Sequence, residues 1–400
     1  MSLNSTPAAI RTHIGFFGLC NAGKSSVVNA ITGQEMAIVS QNRGTTTDPV
    51  SKTMELLPLG PVVIIDTPGL DDESALGEER VRRTRRVLAR CDIAILVHDA
   101  TTAFTQAEKE LVSLFEQRAL PYLVVQNKMD LVHAPHPSLS HTVWASATTG
   151  EGIQELKEAI GHLGGSGEID KPLVRDLLRA GQTVVLVTPI DSSAPKGRMI
   201  LPQQQAIRDV LEADCGCVVV VEDQLCHALG NLREKPAMVI TDSQAFERVA
   251  KDTPLDIPLT SFSILMARYK GFLRQAVEGV VALEHLQDGD TVLISEGCTH
   301  HRQCMDIGTV KIPRWLFQHT GKQLHIETSS GTGFPEDLSR YRVVIHCGGC
   351  MLNAKEVQYR MRMAQAEGVP MTNYGVAIAQ MKGILKRSLA LFPDIAKLVD

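Results

Sequence analysis

The chain has 400 residues, 44 % of them hydrophobic and 21 % charged, which is enough apolar side chain for more than one buried core. A net charge of −5 and an aromatic content of 4 % exclude the basic, base-stacking surface of a nucleic-acid binder. Nine scattered cysteines, no apolar signal core in MSLNSTPAAIRTH and no run of membrane-spanning length predict a cytoplasmic protein with reduced thiols.

The first predicted strand, His13 to Phe17, runs into Gly18-Leu19-Cys20-Asn21-Ala22-Gly23-Lys24-Ser25, which is G-x-x-x-x-G-K-S, the phosphate loop. A helix follows from Ser26, so its positive end faces the same phosphates as the loop N–H groups. Gly18, Asn21, Ala22, Gly23, Lys24, Ser25 and Ser26 are therefore the expected nucleotide contacts, with Lys24 on the β/γ oxygens and Ser25 on Mg²⁺. The strand Val62 to Ile65 ends in Asp66-Thr67-Pro68-Gly69, which places a carboxylate to hold Mg²⁺ through water and the Gly69 N–H to sense the γ-phosphate. The strand Pro121 to Gln126 ends in Asn127-Lys128-Met129-Asp130. This resembles the N-K-x-D guanine motif, in which the carboxylate accepts from guanine N1–H and the exocyclic amine. Ser146-Ala147, after the strand His141 to Ala145, resembles the last guanine-contacting loop. Four motifs in this order, each behind a strand, predict a GTP-binding domain.

Leu70 stands where Ras-like enzymes carry the water-orienting Gln, and an apolar side chain cannot orient water. In this the chain resembles tRNA-modification and ribosome-assembly GTPases, many of which become active through dimerisation or a potassium ion. Asn21 matches their potassium-ligating Asn, although Asn at this place also serves as a simple turn residue. Gly44-Thr45-Thr46-Thr47-Asp48 resembles the switch I region, with Thr46 as the expected Mg²⁺ closure. Lys24, Thr46, Asp66 and Gly69 are then the catalytic set. Asp71-Asp72-Glu73 reads as a solvated switch loop, or as the replacement water-positioning group. The basic helix Glu78 to Arg90 reads as a wet face, and Cys91 as buried at the start of the strand Ile93 to Val97.

A flexible linker, HLGGSGEID from His162 to Asp170, closes a first domain placed at 1–166. A second strand–helix rhythm follows, with strands Thr183 to Pro189, Cys217 to Glu222 and Ala237 to Thr241. Their helices are Pro202 to Glu212, Gln224 to Leu232 and Ser243 to Lys251, which is the pattern of a small parallel sheet. No phosphate loop recurs, so 167–264 reads as an assembly or dimerisation domain. Its polar loop Asp191 to Arg198 reads as a connector, and Cys215, Cys217 and Cys226 as structural.

A helical pattern from Ser263 to His285 leads into a third domain, with the division placed at 265–400. Two strands there, Thr291 to Ile294 and Arg342 to Ile345, each precede a cysteine cluster. The clusters are Cys298-Thr299-His300 and, 45 residues on, His346-Cys347-Gly348-Gly349-Cys350. In a parallel sheet both would emerge at the carboxyl edge. Three thiolates, Cys298, Cys347 and Cys350, with a weak fourth position suit a 4Fe-4S cluster that must bind something further. Zinc with a histidine as fourth ligand, or a redox-active C-x-x-C, are the alternatives. His300, His301 and His346 are candidates for the fourth position, and Cys304 is a rival thiol. The glycines of the C-G-G-C turn leave room for a bulky ligand and offer N–H groups to sulfide.

A potassium-type GTPase, a middle domain and C-x-H…H-C-x-x-C together resemble the HydF family, the maturation GTPases of FeFe hydrogenases. The resemblance covers the whole chain and includes Asp306-Ile307-Gly308 with Lys311-Ile312-Pro313-Arg314-Trp315. It implies a three-domain α/β homodimer paired through its middle domains, with a 4Fe-4S cluster on Cys298, Cys347 and Cys350. It also implies a scaffold and carrier for a transient two-iron subcluster precursor. Radical SAM maturases would build that precursor, and apo FeFe-hydrogenase would receive it. This chain lacks C-x-x-x-C-x-x-C, which agrees with a scaffold, and Cys304 has no place in the family pattern.

Overall fold

The computed structural model describes residues 8–32, 50–57, 59–67, 84–133, 140–165, 171–190, 199–297, 306–331 and 333–399. Several sequence expectations lie outside these residues. They are Thr46 with the whole of 44–48, Gly69, Leu70, Asp71-Asp72-Glu73, the start of the basic helix, and the loop Asp191 to Arg198. Cys298, Thr299, His300, His301 and Cys304 lie outside them too. The architecture is three-domain α/β, in two compact units that divide after residue 169.

The first unit carries a six-stranded sheet in the order β2-β3-β1-β4-β5-β6. Its strands are β1 (Thr12–Phe17), β2 (Val50–Leu56), β3 (Gly60–Asp66), β4 (Ile93–Asp99), β5 (Tyr122–Asn127) and β6 (Thr142–Trp144). All pairs are parallel except β2 on β3, where β2 is an edge strand absent from the sequence expectations. Central strands buried on both faces read as continuous apolar runs. Ile14, Ile64, Ile95 and Val97 face one core, with α1 (Lys24–Thr32) and α3 (Ile153–Gly165). Phe17, Ile65, Leu96 and Phe115 of α2 (Gln106–Gln117) face the other. Thr105 opens α2 with a full capping box, and Glu108 then reaches buried His98 at 2.8 Å. Cys91 is fully buried, as expected, and lies beneath Gly15.

The second unit holds two four-stranded sheets, both wholly parallel. One runs β10-β9-β7-β8, with β7 (Thr183–Val187), β8 (Gly216–Val220), β9 (Met238–Thr241) and β10 (Leu259–Ser261). The other runs β12-β11-β13-β14, with β11 (Thr291–Glu296), β12 (His325–Ser330), β13 (Val343–His346) and β14 (Met371–Asn373). The expected helices appear as α4 (Leu201–Glu212), α5 (Leu225–Asn231) and α6 (Phe246–Asp252). The single helical pattern expected from Ser263 to His285 is two helices, α7 (Phe262–Tyr269) and α8 (Leu273–Val280). They part at Gly271, which takes a φ of +78° that side-chain-bearing residues avoid. Farther on come α9 (Ile312–Thr320), α10 (Ala354–Ala366) and α11 (Tyr374–Met381). The short strands β10 and β14 escaped the sequence reading because each carries a single apolar residue.

One continuous hydrophobic cluster runs through both sheets of this unit, from Leu173 to Phe392, with α7, α8 and α11 between them. Polar clamps reinforce it, such as Arg387, which donates to the carbonyls of Ala250, Thr253 and Pro254 at 2.8 Å. Cys215 is buried with its thiol 3.1 Å from the Arg179 carbonyl, which fits a structural role, whereas Cys226 is exposed. Cys217 is half-buried on the edge strand β8, and burial pushes its thiol up to about 11.

Candidate functional site

The nucleotide residues gather at the carboxyl edge of the first sheet. Lys24 Nζ donates to the carbonyls of Gly18 at 3.0 Å and Leu19 at 2.8 Å, so the loop wraps the ammonium. Gly23 has a φ of +86°, and a Cβ there would sit 2.3 Å from Asn127 Nδ2. Glycine is thus required at this turn by both backbone and space. Asn127 ties the loops together: Nδ2 donates to the Ala22 carbonyl at 2.9 Å, and Oδ1 accepts from Ala147 N–H at 3.2 Å. Ser146 is fully buried, and its Oγ accepts from Thr149 N–H at 3.1 Å. Lys128 takes a φ of +64° and pairs with Asp99, while Asp130 stands exposed one turn on. Asn21 is exposed with a φ of +61°, the left-handed geometry expected of a turn asparagine. Ser26 is exposed beside it on α1.

Asp66 shows a cation's signature. Its Oδ2 accepts from Ser25 Oγ at 3.4 Å, but Oδ1 is buried and has no hydrogen-bond partner. A buried carboxylate oxygen without a partner is costly, and a hydrated Mg²⁺ would satisfy it. Burial pushes the Asp66 carboxyl up, against the pull of Lys24.

The cysteine turn lies at the carboxyl edge of the last sheet. Strands β11 and β13 are parallel neighbours with Ser295 opposite His346, so Gly297 and Cys347 leave the sheet side by side. Cys347 Sγ accepts from Gly297 N–H at 3.0 Å and from Gly349 N–H at 3.3 Å. Two converging amides suit a thiolate or a metal-bound sulfur better than a neutral thiol. Burial pushes the Cys347 thiol up to about 11, with Cys350 adding to the rise. Burial raises Cys350 as well, against the pull of Lys270. Two thiols that resist ionisation alone, yet receive donors and a neighbouring ammonium, fit a site completed by a cation. Gly349 has a φ of +63°, and a Cβ there would lie 3.0 Å from Val357 Cγ2, so the second glycine is demanded by the turn and by the packing beneath it rather than by room for a ligand. Among the described residues no three His, Cys, Asp or Glu side chains converge as a metal site, because the other candidate thiols lie at 298 and 304.

His346, a candidate for the fourth position, is fully buried with both ring nitrogens bonded within the protein. Nδ1 lies 2.7 Å from the Cys347 carbonyl and Nε2 lies 3.1 Å from Arg360 Nη1. Burial, then the Arg360 charge, push this imidazole down to about 3, so it is neutral. It orients the start of the turn rather than facing it as a ligand. Arg360 is 1 % exposed and also donates to Glu356 at 2.9 Å and to the Gly331 carbonyl at 2.7 Å. Arg360→Ala removes the charge partner of a buried carboxylate, and a loss of about 3–5 kcal/mol is expected in denaturant unfolding. A variant within about 1 kcal/mol of the parent chain would show that the network is slack.

Lys270, Ser263, Arg360 and Glu356 were not legible as site residues in the sequence. Lys270 and Ser263 border an apolar helix, and Arg360 and Glu356 sit in a strongly polar one, so only the tertiary fold carries the signal.

The fold and these two sites define a P-loop GTPase-type domain joined to an α/β unit that bears a paired-cysteine turn. Residues 173–271 match the family model described as the hydrogen maturase F dimerization domain, and residues 274–391 match the hydrogen maturase F tetramerization domain. Residues 13–128 match a model described as 50S ribosome-binding GTPase. The chain belongs to the hydrogen maturase F family. Its first domain is similar to GTPase Der of Kosmotoga olearia, 34 % identical over 166 residues, which are 37 % of each chain. It is also similar to the tRNA modification GTPase MnmE of Dichelobacter nodosus, 38 % identical over 39 % of this chain and 35 % of that one. The chain therefore spans little more than a third of the length of these relatives. Among solved structures, a variant of Aquifex aeolicus Era bound to GDP.AlF4− is 20 % identical, covering 52 % of this chain and 93 % of that one, with a TM-score of 0.33. No helix among the described residues is long and apolar enough to cross a membrane.

Proposed function

We propose that the chain is a hydrogenase-maturation GTPase that carries a metal-cluster precursor on its cysteine turn. The observation that carries this reading is Cys347, whose sulfur receives two backbone N–H groups beside Cys350 and a buried lysine. Cys347 and Cys350, with Cys298, would hold a 4Fe-4S cluster. Once bound, the cluster supplies an open coordination position to which a two-iron precursor can attach. The paired glycines let the turn pack closely on Ser263 and Val357, and His346 and Arg360 hold its approach from β13. Radical SAM maturases would supply the precursor and apo FeFe-hydrogenase would accept it. His300 would be the fourth-position candidate.

Hydrolysis of GTP is assigned to the first domain. Lys24 would neutralise the β/γ oxygens, and Ser25, Thr46 and Asp66 would hold Mg²⁺, which shields the phosphate charge when bound. The Gly69 N–H would read the γ-phosphate, and Asn127, Lys128, Asp130, Ser146 and Ala147 the guanine nucleoside. Asn21 would ligate K⁺. Exchanging potassium for sodium is then expected to slow steady-state GTP hydrolysis about tenfold or more. Equal rates in the two salts would remove Asn21 from metal binding.

The three domains are placed at 1–166, 167–264 and 265–400. A homodimer is proposed through the middle one. Strand β8 is an edge of its sheet, and Val219 on it is 42 % exposed. An unpaired apolar edge is a template for pairing with a second copy. Val219→Lys is expected to shift the chain toward monomer in light-scattering chromatography, and an unchanged elution mass would place the interface elsewhere.

The experiment that tests the whole reading is iron and acid-labile sulfide content after anaerobic reconstitution, with an EPR spectrum of the reduced protein. About four irons and four sulfides per chain are expected. Stoichiometric zinc without sulfide would overturn the carrier and leave a GTPase with a zinc-stabilised domain.

A further inference from the structure

Lys270 directly follows α7, inside the stretch matched by the dimerization-domain model, yet its side chain ends beneath the Cys347–Cys350 turn, inside the stretch matched by the tetramerization-domain model. It is 3 % exposed. Its Nζ donates to the Gly349 carbonyl, inside the turn, and to the Leu352 carbonyl just beyond it at 2.8 Å. Its backbone is held in turn by Gln358 Nε2, which donates to the Lys270 carbonyl at 2.7 Å. The other end of α7 touches the same wall. Ser263 accepts from Asn373 Nδ2 at 3.1 Å and from Gly375 N–H at 3.3 Å, and a Cβ on Gly348 would lie 3.4 Å from Ser263 Oγ.

A buried ammonium needs more than neutral carbonyls, because its desolvation is repaid only by opposite charge nearby. Burial pushes the Lys270 ammonium down to about 8, and the sulfurs of Cys350 and Cys347 oppose that fall, so their ionisation by a bound cation is what would repay the buried charge. We propose that Lys270 is a positioning residue for the metal centre, clamping the Cys347–Cys350 turn through two carbonyls and supplying the fixed positive charge that offsets its thiolates. The inference rests on the cluster reading above and adds to it a contribution from the stretch matched by the dimerization-domain model. This clamp also fixes the turn to the end of α7. A positive charge beside an iron–sulfur centre favours its reduced, more negative state.

The test uses the full chain, anaerobically reconstituted, with Lys270→Met, which keeps length without charge, and Lys270→Gln, which keeps a donor without charge. In both, the reduced-to-oxidised ratio at the parent midpoint potential is expected to fall about tenfold, a shift of about 59 mV to the negative for one electron. Loss of iron to a chelator should quicken about 10–100-fold in Lys270→Met and less in Lys270→Gln, which still reaches a carbonyl. Iron-loaded variants with the parent's potential and chelator rate would overturn the inference alone. A parent chain without iron and sulfide would overturn the cluster reading and the inference with it. If Lys270→Met loses its fold by circular dichroism, Lys270→Gln decides, and a parent-like potential there is the overturning result.

Discussion

Cys347→Ala is expected to bring iron and sulfide after reconstitution down to background while leaving GTP hydrolysis near that of the parent chain. The loss should be complete because this sulfur, which receives two amide donors, is one of the three thiolates proposed to hold the cluster. Metal affinity in a three-thiolate site does not fall gradually when one thiolate goes, since the remaining two cannot close the geometry. The fold should survive, because Cys347 is only half-buried at the end of β13 and its removal leaves the apolar strand behind it intact. Full iron content in Cys347→Ala would sink the ligand assignment. Cys350→Ala should behave alike, and Cys304→Ala should not. Were Cys304→Ala to lose its iron too, the thiol set would be wrong.

Lys24→Ala is expected to lower the rate of GTP hydrolysis by about 10²–10³ and to leave iron and sulfide unchanged. The ammonium at the phosphate loop opposes charge that develops in the transition state, in a pocket where loop carbonyls already aim it. Independence of the iron content follows from the structure, because the phosphate loop and the cysteine turn lie in different compact units with separate cores. Loss of both properties in Lys24→Ala, read by single-turnover hydrolysis and iron assay on one preparation, would contradict that separation.

The amino-acid sequence by itself determined much of this protein. Strands buried on both faces are written as continuous apolar runs, so β1, β4, β5, β7, β11 and β13 were legible within a residue or two. The phosphate loop, the guanine motif and C-G-G-C were legible as well, because their chemistry needs fixed residue types at fixed spacing. Strands β10 and β14 were not, for each carries a single apolar residue, and β2 was missed although Met54 and Leu56 alternate with Thr53 and Glu55. The break at Gly271 was hidden inside a helical pattern, since apolar spacing does not record a positive φ. Only the tertiary structure decided that His346 is a buried orienter bonded to Arg360, and that Lys270 at the end of α7 lies under the cysteine turn. Those contacts join residues 14 and 79 positions apart along the chain. Such pairs depend on how sheets and helices pack, and that packing is a property of the folded whole that no local stretch encodes.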